Sequence, residues 1–122
     1  MPDYPRRRPP QHHLPLTVPV FQILLTLSAR DGHGYAMIQD IRARTAGEVI
    51  LTASTLYAAI KRLLEAGLVD EVDERPSAGE DDARRRYYRI TPLGLDVIRL
   101  EVARLERAVK MARQQRLFPR KA

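Results

Sequence analysis

Apolar positions in the chain recur at helical spacing in four stretches and alternate in two short ones. Val20, Leu24 and Leu27 share one face, with Phe21, Leu25 and Ser28 beside it, which predicts a first helix from Thr17 or Val18 to about Ala29. Pro19 fits its first turn, where a missing N–H costs nothing. That helix is apolar almost all round, so it is buried or shared between two surfaces. Asp31-Gly32 reads as a turn. A second helix opens near Gly34 and Tyr35, with Tyr35, Ile38 and Ile41 expected inward, Arg42 and Arg44 outward, and Gly47 as its stop. Glu48 to Leu51 is short enough to hold the next helix at an angle, as in a helix-turn-helix.

In the third helix Thr52 is the candidate N-cap, since its hydroxyl can accept a backbone N–H. Leu56, Ile60, Leu63 and Leu64 are expected to face the core, and Ser54, Thr55, Ala58, Lys61 and Arg62 to face out. Gly67 ends the helix. Leu68 to Val72 then reads as a strand, Asp73 to Ala83 as a loop containing Pro76 and Gly79, and the return strand places Tyr88 and Ile90 inward with Arg89 outward. Helix, strand, loop and strand, with Arg84, Arg85 and Arg86 on the return, is the sequence form of a winged helix-turn-helix.

Thr91-Pro92 pairs an N-cap with proline at the first helical position. Leu95, Ile98, Val102, Leu105, Val109 and Ala112 follow in alternating steps of three and four, a heptad seam. Leu93, Val97 and Leu100 make a second apolar strip. One strip can meet the chain's own domain; a second subunit best explains the other. Phe21 and Leu24 of the first helix are expected to join Leu95, Ile98, Val102, Leu105 and Val109 at that dimer interface.

The expected fold class is mainly α (α+β), a winged helix-turn-helix with a C-terminal dimerisation helix. Residues 1–15 are expected to be a flexible basic arm, since five prolines and three consecutive arginines there rule out a helix or a central strand. The arm's competing roles are a solvated terminus and a contact to phosphates or a minor groove. Residues 16–91 form the DNA-binding domain, 92–116 the dimerisation helix and 117–122 a basic tail.

Composition then narrows the chemistry. The chain has 122 residues, enough for one core, and carries 21 Lys and Arg against 15 Asp and Glu. A formal charge of +6 favours polyanions, with nucleic acid the commonest partner. Anionic membrane surface is a competing reading, but the longest apolar runs, Val49 to Leu51 and the interrupted Val20 to Leu27, are too short to span a bilayer. Pro9, Gln11, His12 and His13 interrupt any signal-peptide segment after the early arginines. The absence of cysteine excludes disulfides and thiolate chemistry and suits a reducing cytoplasm. His12, His13 and His33 lack metal-ligand spacing, and no nucleophile, P-loop or dinucleotide motif occurs. No catalytic residue, metal or cofactor is therefore expected.

The expected DNA-binding residues are Thr52, Ser54, Thr55, Tyr57, Ala58, Lys61, Arg62, Arg84, Arg85 and Arg86. Ser54 and Thr55 are short enough to let the helix approach base edges. Lys61 and Arg62 suit phosphates, as do the wing arginines. Glu80, Asp81 and Asp82 at the wing tip oppose this, so the tip either points away or pairs with the arginines when DNA is absent.

Several local motifs carry a family resemblance over roughly Leu16 to Arg113. These are Gly34-Tyr35 opening the second helix, Thr55-Leu56-Tyr57 in the third, Arg62-Leu63 with Ala66-Gly67-Leu68-Val69 at its end, and Arg86-Tyr87-Tyr88-Arg89-Ile90-Thr91 followed by Gly94. In this order and spacing the chain resembles the PadR-type bacterial transcriptional regulators, in the branch with a single dimerisation helix. The resemblance implies a homodimeric repressor whose last helix packs against the other subunit's first. Some members bind flat aromatic compounds between aromatic side chains at the dimer interface; here there is no Trp, and the last helix has no aromatic residue before Phe118. That ligand is not carried over.

The expected function is sequence-specific DNA binding in transcriptional regulation by a homodimeric repressor. The expected partners are double-stranded operator DNA, a second copy and an effector of unknown identity, without a membrane. The expected place is the bacterial cytoplasm, on the nucleoid when bound. A winged-helix protein-interaction module is the alternative.

Overall fold

In the computed structural model, residues 8–72 and 86–118 are described. The chain forms helix α1 (Val18–Ala29), a short strand β1 (Gly32–His33), α2 (Gly34–Arg44), α3 (Ala53–Ala66), β2 (Val69–Val72), β3 (Tyr87–Ile90) and α4 (Pro92–Gln114). Thr17, Thr52 and Thr91 each cap a helix by accepting a backbone N–H three residues on, from Val20, Thr55 and Gly94. Each satisfies one of the N–H groups that a helix start leaves unpaired. Gly67 closes α3 at φ 79°, a left-handed conformation that suits glycine.

Ile23, Leu24 and Leu27 of α1, Met37 and Ile41 of α2, Leu56, Ile60 and Leu63 of α3, and Val97 and Ile98 of α4 converge on one core. Leu68, Val69 and Tyr88 close it from the sheet side. The sheet is antiparallel in the order β1-β3-β2, with Glu71 opposite Tyr88 and Val72 opposite Tyr87. Tyr88 is buried and Arg89 exposed, the alternation expected of the return strand.

Four expectations are corrected. Tyr35 is 65% exposed; the inward stripe of α2 is Gly34, Met37, Ile38 and Ile41. The spacing of those four is the ideal one for a helix face, and it starts one residue before Tyr35. Asp31-Gly32 is not simply a turn: Gly32 pairs with Tyr88 and His33 with Tyr87, adding a third strand that two residues are too short to announce. Residues 10–15 are not a free arm. Pro10–His13 forms one 3-10 turn, Leu14 packs on the core, and the Leu16 N–H donates to Glu101 of α4 at 2.8 Å. A single turn needs few internal N–H donors, so prolines at its start are tolerated. Lastly, Leu24 and Ile98 lie in the chain's own core, at 0% and 4% exposure, and have little surface left for a second subunit.

Candidate nucleic-acid interface

The third helix divides cleanly. Leu56, Ala59, Ile60 and Leu63 are buried, while Ser54, Thr55, Tyr57, Ala58, Lys61 and Arg62 are exposed. Its outward face is therefore small and polar at the N-terminal end and cationic one to two turns on. Among the described residues neither Lys61 nor Arg62 has a carboxylate partner. Both are left with donors to offer to an anion.

Thr52 and Thr55 divide their labour. The Thr52 hydroxyl oxygen accepts the Thr55 N–H at 3.1 Å and its hydrogen points to the Thr55 oxygen at 3.1 Å. Thr52 is thus occupied as a cap. The Thr55 hydroxyl accepts from Thr52 and keeps its own hydrogen for an outside acceptor. Ser54 beside it has no such commitment among the described residues, and both side chains are short enough for close approach to base edges.

Tyr57 is only 40% exposed, and its phenol leans on Gly34 at the start of α2. Ile50, in the connection before α3, is 59% exposed and was not singled out from the sequence. It lies next to buried Leu51 in a stretch too short for periodicity to assign a face.

The elements around α3 are tied together by polar contacts. The Arg44 guanidinium at the end of α2 donates to Thr26 of α1 at 2.7 Å, and Thr26 is buried. Arg89 of β3 makes two hydrogen bonds to one Asp31 oxygen, at 2.8 and 3.0 Å. His33 caps α2 through a ring nitrogen that accepts the Ala36 N–H at 3.4 Å, and its ring meets Tyr87 edge-on at 5.4 Å. Burial raises the Tyr88 phenol above its ordinary range, with Glu71 and Tyr57 adding to the shift.

On the wing, Arg86 is exposed and pairs with Glu71 across the strands at 3.6 Å. Arg84, Arg85 and the acids Glu80, Asp81 and Asp82 lie outside the described residues.

A second exposed surface lies on α4. From Val102 onward almost every residue is exposed, and Val102, Leu105 and Val109 are 46%, 36% and 41% exposed. Val97 is fully buried in the chain's own core, while Leu95 and Phe21 are half-buried. Of the residues expected at the dimer interface, only the C-terminal part of the seam is fully available to a partner. Among the described residues no helix is long and apolar enough to cross a membrane, and no cluster of side chains could hold a metal.

Comparison with known proteins adds to this geometry. Residues 23–100 match the sequence profile of the transcriptional regulator PadR-like family. An uncharacterized protein of Lysinibacillus sphaericus is 35% identical over 72 residues, which make up 59% of this chain and 63% of that protein. The chain thus spans less than two thirds of that relative's length. A transcriptional regulator from Clostridium thermocellum is similar in structure, with a TM-score of 0.66, 28% identity, and coverage of 79% of this chain and 87% of that one. A PadR family transcription regulator from Clostridium difficile R20291 also has a TM-score of 0.66, with 25% identity and coverage of 80% and 97%.

Proposed function

The chain belongs to the PadR-like family of transcriptional regulators, whose members are not enzymes, and from that premise we propose that it is a homodimeric repressor that binds operator DNA sequence-specifically. One observation carries the reading: α3 sits on the body of the protein with its apolar side buried, while Ser54, Thr55, Lys61 and Arg62 are exposed among the described residues. A helix so placed fits the major groove, with Ser54 and Thr55 at the bases and Lys61 and Arg62 at the phosphates. In this reading Arg84, Arg85 and Arg86 contact phosphates of the neighbouring backbone.

Dimerisation follows from α4. Among the described residues its last turns are mostly exposed, yet they carry Val102, Leu105 and Val109 in a heptad seam. A second copy would cover that seam and set two α3 helices at a fixed spacing, which a two-fold symmetric operator would match. A small-molecule effector acting through this interface belongs to the same proposal, with its identity open.

Selection of binding sites from random DNA, followed by titration against salt, tests the reading. The expected result is an enriched, two-fold symmetric sequence and affinity for it that falls steeply with salt. Enrichment of no sequence would leave the basic surface to a protein partner instead. The same measurement with the promoter of a regulated gene, with and without RNA polymerase, separates repression from activation.

A further inference from the structure

Gly34 is the first residue of α2 and is buried. A Cβ built on it would lie 2.7 Å from Tyr57 Cζ and 3.0 Å from Leu56 Cδ2, with the Tyr57 hydroxyl closer still. These distances are shorter than carbon contacts allow, so the need for glycine here is one of space. The missing Cβ is a notch at the start of α2, and the phenol of Tyr57, which projects from α3, fills it. Tyr57 also lies near enough to Tyr88 of the wing strand to add to the upward shift of the Tyr88 phenol. One side chain thus joins the recognition helix to α2 and stands close to the wing.

We infer that Tyr57 is a positioning residue of the DNA interface and not a base contact: seated in the Gly34 notch, it sets the roll of α3 and so decides where Ser54 and Thr55 meet the bases. The inference rests on the reading of α3 as the helix that enters the groove. Its physical basis is the difference between short and long side chains. Ser54 lies three residues before Tyr57 on the same side of the helix, and Thr55 is its neighbour. Their hydroxyls are held close to the backbone, so a small roll of α3 carries them out of hydrogen-bonding range of a base edge. Lys61 and Arg62 reach phosphates on long flexible stems and can follow such a roll. Disturbing the notch should therefore cost sequence discrimination and spare general affinity for DNA.

The test uses the full-length protein, its selected DNA site and a scrambled duplex of equal length, with circular dichroism at the assay temperature to show that each variant is folded. Gly34→Ala should lower the preference for the selected site about tenfold or more, the size of one lost base contact, while affinity for the scrambled duplex and its salt slope stay put. Adding Tyr57→Leu to Gly34→Ala should restore part of the preference, because leucine vacates the space the new methyl needs. Tyr57→Leu alone should lower the preference, and Tyr57→Phe alone should retain it, since the ring still fills the notch. The phenylalanine and leucine variants keep Gly34, so they decide the matter even where Gly34→Ala fails to fold. Equal losses in Tyr57→Phe and Tyr57→Leu would mean that the hydroxyl touches DNA, and would overturn the inference. A folded Gly34→Ala protein that discriminates like wild type would do the same. A wild type with no preference between the two duplexes overturns the DNA-binding reading itself, and this inference with it.

Discussion

The backbone N–H of Leu16 donates to the Glu101 carboxylate at 2.8 Å, across 85 positions of sequence, and fastens the N-terminal segment to α4. Glu101 is 2% exposed and is also held by the Arg104 guanidinium, which donates from Nε to Oε1 and from Nη2 to Oε2. A buried carboxylate is tolerated because it is paired and its oxygens are used.

Glu101→Gln should release this fastening. The amide cannot pair with Arg104 as an ion, and one buried donor is left poorly matched. A loss of about 1–3 kcal/mol is expected, read by urea unfolding. Hydrogen exchange should show the Leu16 amide opening faster than those of α3. Unchanged protection at Leu16 would mean that the carboxylate is not what holds the segment.

The N-terminal segment should also loosen in acid. The hydrogen bonds from Arg104 hold the Glu101 carboxyl below its ordinary range against the opposing effect of burial, with the Leu16 N–H helping. A depressed carboxyl contributes stability that is present above its unfolded pKa and lost as pH falls through the folded one. Burial likewise lowers the pKa of His13, in the 3-10 turn packed on α4, so its contribution is full above the ordinary imidazole range and is lost as pH falls through the lowered value. Two steps of destabilisation are therefore expected on acidification, His13 first and Glu101 later. Stability measured against pH in His13→Gln should lack the first step. A single step common to both proteins would contradict this.

The seam on α4 should separate assembly from folding. Val102→Asp and Leu105→Asp introduce charge at exposed positions of the single chain, so each variant should fold and sediment as a monomer. Ile98→Asp places the charge in the chain's own core and should abolish folding, a cost of several kcal/mol. The wild type should sediment as a dimer at micromolar concentration, and a wild-type monomer would sink the dimer proposal.

Thr55 and Arg62 should respond differently to DNA sequence. Thr55→Ala should lose about 1–3 kcal/mol on the preferred site alone. Arg62→Ala should weaken all sequences alike and reduce the slope of log K against log salt by about one. If both changes act uniformly across sequences, the division of roles is wrong.

On the wing, Glu71 pairs with Arg86 at 3.6 Å and would compete with a DNA phosphate for it. Glu71→Gln should strengthen binding, most at low salt. Neutralising Glu80, Asp81 and Asp82 should act in the same direction, and neutralising Arg84 and Arg85 should reduce the salt slope by up to about two. An unchanged slope in the folded arginine variant would show that the wing is no phosphate clamp.

Local signals carried much of this protein's design. The threonine caps at Thr52 and Thr91, the helix end at Gly67, and the apolar spacing of Leu56, Ile60 and Leu63 were all legible, because each is settled within a turn of helix. So were the outward residues of α3, since a helix with one buried face leaves little choice about the other. Whatever depended on long-range contact was not. The pairing of Gly32 and His33 with β3, the docking of Pro10–His13 on α4 and the Glu101–Leu16 bond join residues far apart in sequence, and no local period encodes them. Burial of Leu24 and Ile98 inside the chain's own core was decided by which side of the nearly all-apolar α1, and which of the two apolar strips of α4, meets its neighbours, which periodicity leaves open. Tyr57 shows the same limit within a single side chain. The sequence put it among the expected DNA-binding residues, but only the structure shows its ring against Gly34 of α2, because the absence of one Cβ matters only where another element comes near.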